Sequence, residues 1–479
     1  MLAGTAGCRD NRRSAGEATT GATLSIGVAQ IAADKQATTN GLQTVANNQT
    51  VEQLMRIGRD GRPMAGVAES AFMAPDGRSL RIRLRPNVTF HDGTPVTSAI
   101  IAQIIQAKLL TAMGSASEDV ASVRVVSDNE VEIVQRRWSP FLLESLDIDV
   151  EKPGAPGVGT GPFSATRVGD NIEMKANDGY YLGAPALKRV VVRSYPTVRG
   201  AWADLLRGQV DMLYEVGLDA IDSLQASSQV ALYTFPRTYS YVIVLNARNP
   251  KFASRELRQA LNSAIDRSAL IEQGLYGHGK PADGPVFPSH WAFRPTFPRF
   301  TSDPAAASKR IGGRLSFTCI FSEGALFERV ALTVQKQLAA VGVDMQVQAV
   351  PYREFVTRVT QKHDFDAVLF DALVAPTMNR AYQWWHSGGA FNFGGFSSAK
   401  VDASLETVRY ATNDADYAAA VLDFQRAILD DPPAVFLAWG ERVRAVNRRF
   451  DVQAEPGRDI LTTLRLWKPA ADQHAANRN

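Results

Sequence analysis

The chain alternates short segments of two-residue hydrophobic period with longer segments of helical period. Apolar residues alternate with polar or small ones in 22–29, which is the pattern of a β-strand. In 80–84, LRIRL, the apolar side chains lie on one face and the arginines on the other, which predicts a half-buried strand. Residues 98–110 have apolar positions at helical spacing, which predicts an amphipathic helix.

Hairpins and β-α-β units follow. Strand patterns on both sides of the turn Ser127–Asn129 predict one hairpin, and 163–176 predicts another. Lys188–Val216 is predicted to form strand, helix and strand, and Arg314–Val350 repeats this order. A further strand is predicted at Phe365–Phe370. Strands connected through helices are typical of parallel sheets.

These units predict an α/β protein with two lobes of the doubly wound kind and a smaller appended region around 47–158. The Gly- and Pro-rich segment Glu151–Phe163 is the strongest break in the pattern and predicts a boundary. Ligands of such sheets bind at the carboxyl ends of the strands, often between lobes. We therefore expect a binding site between the two lobes.

Composition excludes several classes of protein. Of the 479 residues 45% are hydrophobic and 21% are charged, as in ordinary globular proteins. The net charge is +3 without a dense basic tract, so a nucleic-acid partner is not expected. No uninterrupted apolar stretch is long enough for a membrane span.

The two cysteines, Cys8 and Cys319, are too few for a structural zinc site. Ala6 and Gly7 directly precede Cys8, which resembles the end of a bacterial lipoprotein signal. The charged and long apolar regions of such a signal are not in the sequence before Cys8. Cys8 is therefore a candidate for lipidation, and an incidental Ala/Gly-rich terminus is the alternative; residues 1–21 are predicted to be a signal remnant or tether.

Motifs for nucleotide, metal or catalytic chemistry are incomplete. Gly274–Pro281 has the spacing of a phosphate-binding loop, but Pro281 replaces the Ser or Thr that would hold Mg²⁺. The segment also follows a helical pattern, Arg255–Gln273, where that loop requires a strand. No histidine lies three or four residues from another. We expect no catalytic residues, no metal site and no cofactor.

The adjacent His91 and Asp92 lie in a turn-forming segment. Neighbours in an extended segment point to opposite sides, so the two cannot act together as base and orienting group. Asp-Gly is a tight-turn dipeptide, Asp92 can accept local N–H groups, and Thr97 is a candidate N-cap for the following helix. The pair is predicted to shape the backbone.

Aromatic residues are concentrated among glycines in 381–396, AYQWWHSGGAFNFGGF. Glycines favour a loop over a core helix here. Two interpretations stay open, an ordinary corner of the core and a cleft wall that stacks on a ligand. In the second, Trp384 and Trp385 are candidate ligand-binding residues.

Residues 81–99, RIRLRPNVTFHDGTPVTSA, resemble the signature segment of the bacterial extracellular solute-binding proteins of family 5, of the oligopeptide, dipeptide and nickel type. Other segments match that family in the same order, and the resemblance covers about 22–470; these segments are 61–80, 159–163, 177–192, 205–213, 256–288 and 391–406.

The resemblance implies a fold like that of type II periplasmic binding proteins, with two lobes, hinge strands and a small inserted third domain. Lobe I would comprise 22–46, 159–237 and 440–479, the insertion 47–158, and lobe II 238–439. It also implies a periplasmic, monomeric substrate-binding component that delivers a small solute to the permease of an ABC importer. A lipid on Cys8 would anchor it to the membrane.

One departure from the family concerns the ligand. Peptide binders of this family carry a Trp and, three residues later, an Asp that pairs with the peptide's α-ammonium. Counting from Asp366, these positions fall near Ala372 and Ala375, and a buried ammonium without a carboxylate is costly. Asp371 is the nearest substitute.

The other ligand-binding candidates that the resemblance implies are Tyr241, Asn246 and Tyr352. A peptide or peptide-like solute is the first expectation. The alternative solutes are an opine, a sugar and a metal chelate. The alternative function is that of a hydrolase that uses the same cleft.

Overall fold

The structure is a computed structural model that describes residues 22–29, 35–109, 111–295 and 299–471. Cys8, the lipidation candidate, lies outside these residues. Within the part of the chain that is described, no helix has the length and apolar character needed to cross a membrane.

Strands account for most of the framework. In chain order they are β1 Thr23–Ala29, β2 Glu52–Gln53, β3 Met55–Ile57, β4 Pro63–Ala65, β5 Ala68–Met73, β6 Ser79–Leu84, β7 Val120–Ser127, β8 Glu130–Gln135, β9 Asp149–Val150, β10 Phe163–Val168, β11 Asn171–Ala176, β12 Arg189–Tyr195, β13 Met212–Leu213, β14 Val230–Leu245, β15 Gly279–Pro281, β16 Leu315–Ser322, β17 Val343–Val350, β18 Ala367–Leu373, β19 Ala434–Asn447, β20 Phe450–Asp451 and β21 Lys468–Pro469.

Helices cover the sheets. They are α1 Lys35–Thr50, α2 Ser98–Leu109, α3 Pro140–Glu144, α4 Val198–Leu206, α5 Ile221–Gln225, α6 Arg255–Ser263, α7 Arg267–Gly274, α8 Pro304–Ile311, α9 Ala325–Ala339, α10 Tyr352–Val356, α11 Met378–Trp385, α12 Ala399–Arg409 and α13 Asp414–Asp430. Short 3-10 turns include Gly114–Asp119 and Ile460–Leu466.

One eleven-stranded sheet runs through most of the protein in the order β10-β11-β12-β1-β13-β19-β14-β18-β16-β17, with β15 paired to β19. Its first half is β10 to β13 with β1, and its second half is β16 to β18. The long antiparallel strands β14 and β19 belong to both halves and connect them. A bend in these two strands would therefore move one half relative to the other.

The first half contains the predicted 188–216 unit with one difference. β12 and β13 are parallel, but β1 lies between them and pairs with both. The strand between them, β1, is distant in sequence. The sequence of 188–216 alone therefore could not predict that β1 pairs between β12 and β13. The predicted hairpin is β10 and β11, which pair from Phe163 with Ala176 to Val168 with Asn171.

The second half confirms the predicted 314–350 unit. β16 and β17 are parallel over their full length, and α9 connects them. β18 adds the predicted further strand beside β16. The helical pattern predicted over 255–273 is confirmed as two helices, α6 and α7. Asp266 caps the second one by accepting from the N–H of Ala269.

The strands β2 to β9, with α2 and α3, form an inserted region between β1 and β10. Its main sheet has the order β5-β6-β8-β7. The apolar side chains of β6 are buried and the hairpin of β7 and β8 is antiparallel, as predicted. Between β6 and α2, Asp92 Oδ1 accepts from the N–H of Thr94 (3.0 Å) and Gly93 has φ +82°. The turn interpretation is confirmed.

Thr97 caps the N-terminus of α2, since its Oγ1 accepts from the N–H of Ile100 (3.3 Å). His91 connects the inserted region to the segment before β10. Its backbone N–H donates to the carbonyl of Gly159 (2.9 Å), and its ring Nε2 lies 3.1 Å from the carbonyl oxygen of Gly161. Both members of the His91-Asp92 pair therefore act on backbone geometry.

Candidate functional site

A cavity of about 350 Å³ lies where the two halves of the large sheet and the inserted region meet. The inserted region supplies one wall and the strands β14 and β19 supply the floor. Lining residues are Gln53, Ile57, Gly58, Arg59, Asp147, Phe235, Pro236, Arg237, Thr238, Tyr239, Phe287, Pro376, Arg380, Arg442, Gly457, Arg458, Asp459 and Thr462. This volume is in the range of sites for small ligands.

The floor of the cavity is an irregularity in the long strands. Pro236 pairs with Glu441 and Ser240 pairs with Trp439, so three residues of β14 lie opposite Gly440 alone. These three, 237–239, leave the ladder and line the cavity. A β-bulge of this kind redirects side chains.

Gly440 makes room for that arrangement. A Cβ at Gly440 would lie 3.0 Å from the ring of Tyr241 and 3.8 Å from Cδ of Arg237. The first distance is shorter than an ordinary carbon contact. The absence of a side chain therefore lets Tyr241 and Arg237 pack against β19.

Arg237 is held by Asp371 of β18. Its Nη1 lies 2.8 Å from Asp371 Oδ2, and its guanidinium lies 4.6 Å above the ring centre of Tyr239. Asp371 Oδ1 is buried without a hydrogen-bond partner. Burial raises the pKa of Asp371, and the charge of Arg237 opposes this shift. Burial also raises the pKa of the adjacent Tyr241, to about 12.

Two more arginines of the lining are held in the same manner. Arg442 Nη2 lies 2.8 Å from Glu215 Oε1. Arg380 Nη2 lies 2.6 Å from Asp147 Oδ2, and its Nη1 donates to the carbonyl of Ala375 (2.9 Å). Each guanidinium is therefore fixed by a carboxylate and still borders the cavity.

A larger cavity, about 450 Å³, lies between the inserted region and the first half of the sheet. Its most buried acid, Glu52, accepts from the hydroxyls of Thr160, Tyr180 and Tyr181 at 2.9, 2.6 and 2.9 Å. Burial raises the pKa of Glu52. Since neighbouring hydroxyls satisfy this carboxylate, it serves packing between the two parts, and the smaller cavity at the long strands is the better candidate site.

The structure brings together two of the predicted ligand-binding residues, Tyr241 and Asp371, which are register partners on β14 and β18. Neither borders the cavity directly, but both contact Arg237, which does. Asn246 is bound by backbone, since its Nδ2 donates to the carbonyl of Phe365 (2.8 Å). The ligand-binding role of these residues stays a prediction.

The other predicted residues lie elsewhere. Tyr352 begins α10 and is 54% exposed. Trp384 and Trp385 end α11 and are buried in the core, so the expected loop at this point is a helix. Trp384 Nε1 donates to the carbonyl of Leu373 (3.1 Å). None of the three lines the cavity.

Sequence reasoning missed the arginines of the lining. Arg237 lies within β14, four residues before the apolar run that begins at Tyr241, and Arg442 and Arg444 interrupt the apolar pattern of β19. A cation inside an apolar strand pattern is costly to bury without a carboxylate. That pattern was the available signal for a charged site on the long strands.

Among the described residues, no group of three or more His, Cys, Asp or Glu side chains is arranged so that it could hold a metal ion. Cys319 is buried and unpaired in β16.

The family model "Bacterial extracellular solute-binding proteins, family 5 Middle" matches residues 62–392. The chain belongs to this family. Oligopeptide-binding protein AppA of Bacillus subtilis is 24% identical over 455 residues, covering 84% of this chain and 83% of that protein. Glutathione-binding protein GsiB of Pectobacterium atrosepticum is 26% identical over 454 residues, covering 85% and 86%.

Among solved structures, the ABC transporter substrate binding protein CtaP of Listeria monocytogenes matches with a TM-score of 0.81 at 20% identity, covering 94% of this chain and 99% of that one. The predicted fold is thereby confirmed as type II-like, with two lobes, hinge strands and a small inserted domain. We call the first half of the large sheet lobe I, the second half lobe II, and the strands β14 and β19 that connect them the hinge strands. As a member of family 5 the protein is a solute-binding protein of ABC transport.

Proposed function

We propose that this protein captures a small solute in the 350 Å³ cavity at the hinge strands and delivers it unchanged to an inner-membrane permease. The observation that carries this proposal is the position of the cavity. Its walls come from lobe I, lobe II and the inserted domain, so a bound solute would contact all three at once. Ligands that bridge lobes stabilise the closed arrangement.

The lining favours binding over catalysis. It contains no serine, cysteine or histidine among the described residues, and a hydrolase of the acyl-transfer type needs a nucleophile beside a base. The named relatives bind oligopeptides and glutathione. A peptide-like solute of few residues is the class that fits this family and this volume.

Several finer points belong to the same proposal. The domain boundaries are those given above: 22–46, 159–237 and 440–479 for lobe I, 47–158 for the insertion and 238–439 for lobe II. The protein acts as a monomer in the periplasm, and a lipid on Cys8 anchors it there.

A matched pair of variants tests the site. Thr462 lines the cavity and its Oγ1 donates to the carbonyl of Asp459 (2.7 Å). Thr407, on α12, makes the equivalent bond to Ala403 (2.8 Å) and is exposed away from the cavity. Thr462→Trp is expected to abolish the rise in melting temperature that a solute panel of peptides, opines, sugars and chelates produces, and Thr407→Trp to retain it.

Two results would contradict the proposal. One is that no solute of the panel stabilises the wild-type protein while some candidate is turned over. The other is that Thr462→Trp and Thr407→Trp respond alike to every stabilising solute.

A further inference from the structure

The cavity is lined by more cationic than anionic side chains. Among the described residues of the lining, all the cations are arginines, namely Arg59, Arg237, Arg380, Arg442 and Arg458, and none is a lysine. The acids are two aspartates, Asp147 and Asp459. A guanidinium presents its N–H donors as a rigid planar fork that matches a carboxylate.

Both aspartates already pair with an arginine. Asp147 already pairs with Arg380. Both oxygens of Asp459 accept from Arg444, at 3.2 and 2.6 Å. An ammonium group in this cavity would therefore have to share a carboxylate with an arginine and would face further guanidinium groups.

Asp371 does not change this balance. One of its oxygens pairs with Arg237, and the other is buried below the surface of the cavity. Ala375, near which the family's ammonium-pairing aspartate is expected, is 1% exposed and has no polar side chain. No anchoring carboxylate therefore replaces the one that peptide binders use.

Several arginine donors are left over. Arg237 and Arg442 each have their nearest nitrogen 2.8 Å from a carboxylate oxygen, and a guanidinium has five N–H groups. Arg59, which is exposed, donates from Nε to Ser289 Oγ (3.2 Å) and has no carboxylate partner among the described residues. These donors come from the inserted domain and from both hinge strands, so one planar anion could engage several parts of the protein.

We infer that the solute is a small molecule with at least one carboxylate, bound through that group by Arg237, Arg442 and Arg59, and that it does not need an α-ammonium group. This inference rests on the proposed function and names the class of solute. The carboxylate would replace water on donors that the fold has already placed, which is the usual reason for arginine at anion sites.

Chemically matched probes test this inference by thermal shift and calorimetry. Each solute of the panel that has a carboxyl group is offered as the free acid, as its carboxyl amide and, where it has an amino group, as its N-acetyl derivative; for peptides the series starts with alanyl-alanine. Free acids and N-acetyl acids are expected to bind alike. The amides are expected to bind roughly 10- to 100-fold more weakly, because a charge-assisted hydrogen bond is lost.

Variants connect the effect to the arginines. Arg237→Gln combined with Asp371→Asn removes the pair without leaving a buried charge, and it is expected to weaken the acids about tenfold or more while barely changing the amides. Arg299→Gln is the control, because Arg299 forms a comparable pair with Asp283 (2.9 Å) that does not line the cavity.

The outcomes are distinct. Equal binding of acids and amides, or loss of binding on N-acetylation alone, would overturn the inference and leave solute binding intact. If no probe of any kind bound, the proposed function itself would fail.

Discussion

Arg237 and Asp371 form an ion pair between adjacent strands at the point where β14 leaves its ladder with β19. Their side chains are 16% and 20% exposed. The pair therefore lies in a poorly solvated place and fixes the guanidinium at the cavity. Breaking it affects both the stability of the hinge and the binding site, and a double substitution separates the two effects.

Arg237→Gln is expected to lower the free energy of unfolding by about 3 kcal/mol, since it leaves the Asp371 carboxylate buried without a partner. Adding Asp371→Asn removes that charge and should restore most of the loss. Urea unfolding followed by circular dichroism measures both variants. A double variant as unstable as the single one would show that other contacts of Arg237 carry the stability.

A substitution in the turn at Asp92 is expected to change stability less than one at Arg237. Asp92 Oδ2 pairs with Lys152, and the pair is partly exposed. Asp92→Ala should slightly lower stability, and by less than Arg237→Gln, because exposed pairs contribute little. Solute affinity should not change, since the turn is not part of the cavity lining. Selective loss of affinity at unchanged stability would contradict this assignment.

The pH range of this effect follows from the pKa. Bonding to Lys152, and then to Thr94, lowers the pKa of Asp92 to about 2. A depressed carboxyl pKa favours the folded state above the unfolded value near 3.8 and loses this effect as pH falls towards 2. Asp92→Ala and the wild-type protein should therefore converge in stability as the pH falls through about 2.

Much of the fold could be predicted because its local patterns are strong. The alternation in β1 and β6, the helical period of α2 and the Asp-Gly turn each depend on residues that are close in sequence. The single sheet through both lobes could not be predicted. It depends on β1 lying between β12 and β13 and on β14 pairing with β19, contacts that only long-range register decides.

The cavity was harder to predict than the fold. Arg59, Arg237 and Arg442 are far apart in sequence and meet only through the folding of three domains. Trp384 and Trp385 stand among glycines, yet α11 ends at Trp385 and places both in the core. Composition of a segment therefore gave the wrong local structure where a helix packs at the edge of a Gly-rich loop.

A buried contact holds the inserted domain against lobe II. Arg409 Nε and Nη2 lie 3.0 and 2.8 Å from Asp119 Oδ2, with side chains only 4% and 9% exposed. Asp119→Asn should weaken this contact between the two domains, because it leaves Arg409 with only Glu118 (2.8 Å) and the more distant Glu406 (3.6 Å) as carboxylate partners. Small-angle X-ray scattering without solute is then expected to show a larger radius of gyration.

Asp423→Asn is the control for that experiment, since Asp423 forms an exposed pair with Arg426 within α13. It should leave the scattering curve unchanged. An unchanged radius for Asp119→Asn as well would mean that the contact between Asp119 and Arg409 does not help to hold the inserted domain against lobe II.

Glu144 makes a second contact across the same boundary, and it gives a pH dependence. Its carboxylate accepts from the hydroxyl of Tyr417 and from the N–H of Asn379 (2.7 Å). Burial raises the pKa of Glu144 to about 7. A carboxyl whose pKa is raised on folding holds its proton in the folded protein between the unfolded value near 4.5 and about 7, so stability falls as pH rises through that window.

The expected fall is about 3 kcal/mol between pH 4.5 and pH 7, at 1.36 kcal/mol for each pKa unit. Glu144→Gln keeps the shape and cannot ionise, so its free energy of unfolding should fall less steeply than that of the wild-type protein over this range. Glu328→Gln, at an exposed position of α9, is the control and should follow the wild-type curve. Parallel curves for Glu144→Gln and the wild type would show that Glu144 titrates at an ordinary pKa. Because Glu144 lies on α3 of the inserted domain and Tyr417 on α13 of lobe II, ionisation of Glu144 should also weaken the contact between these two domains as pH rises.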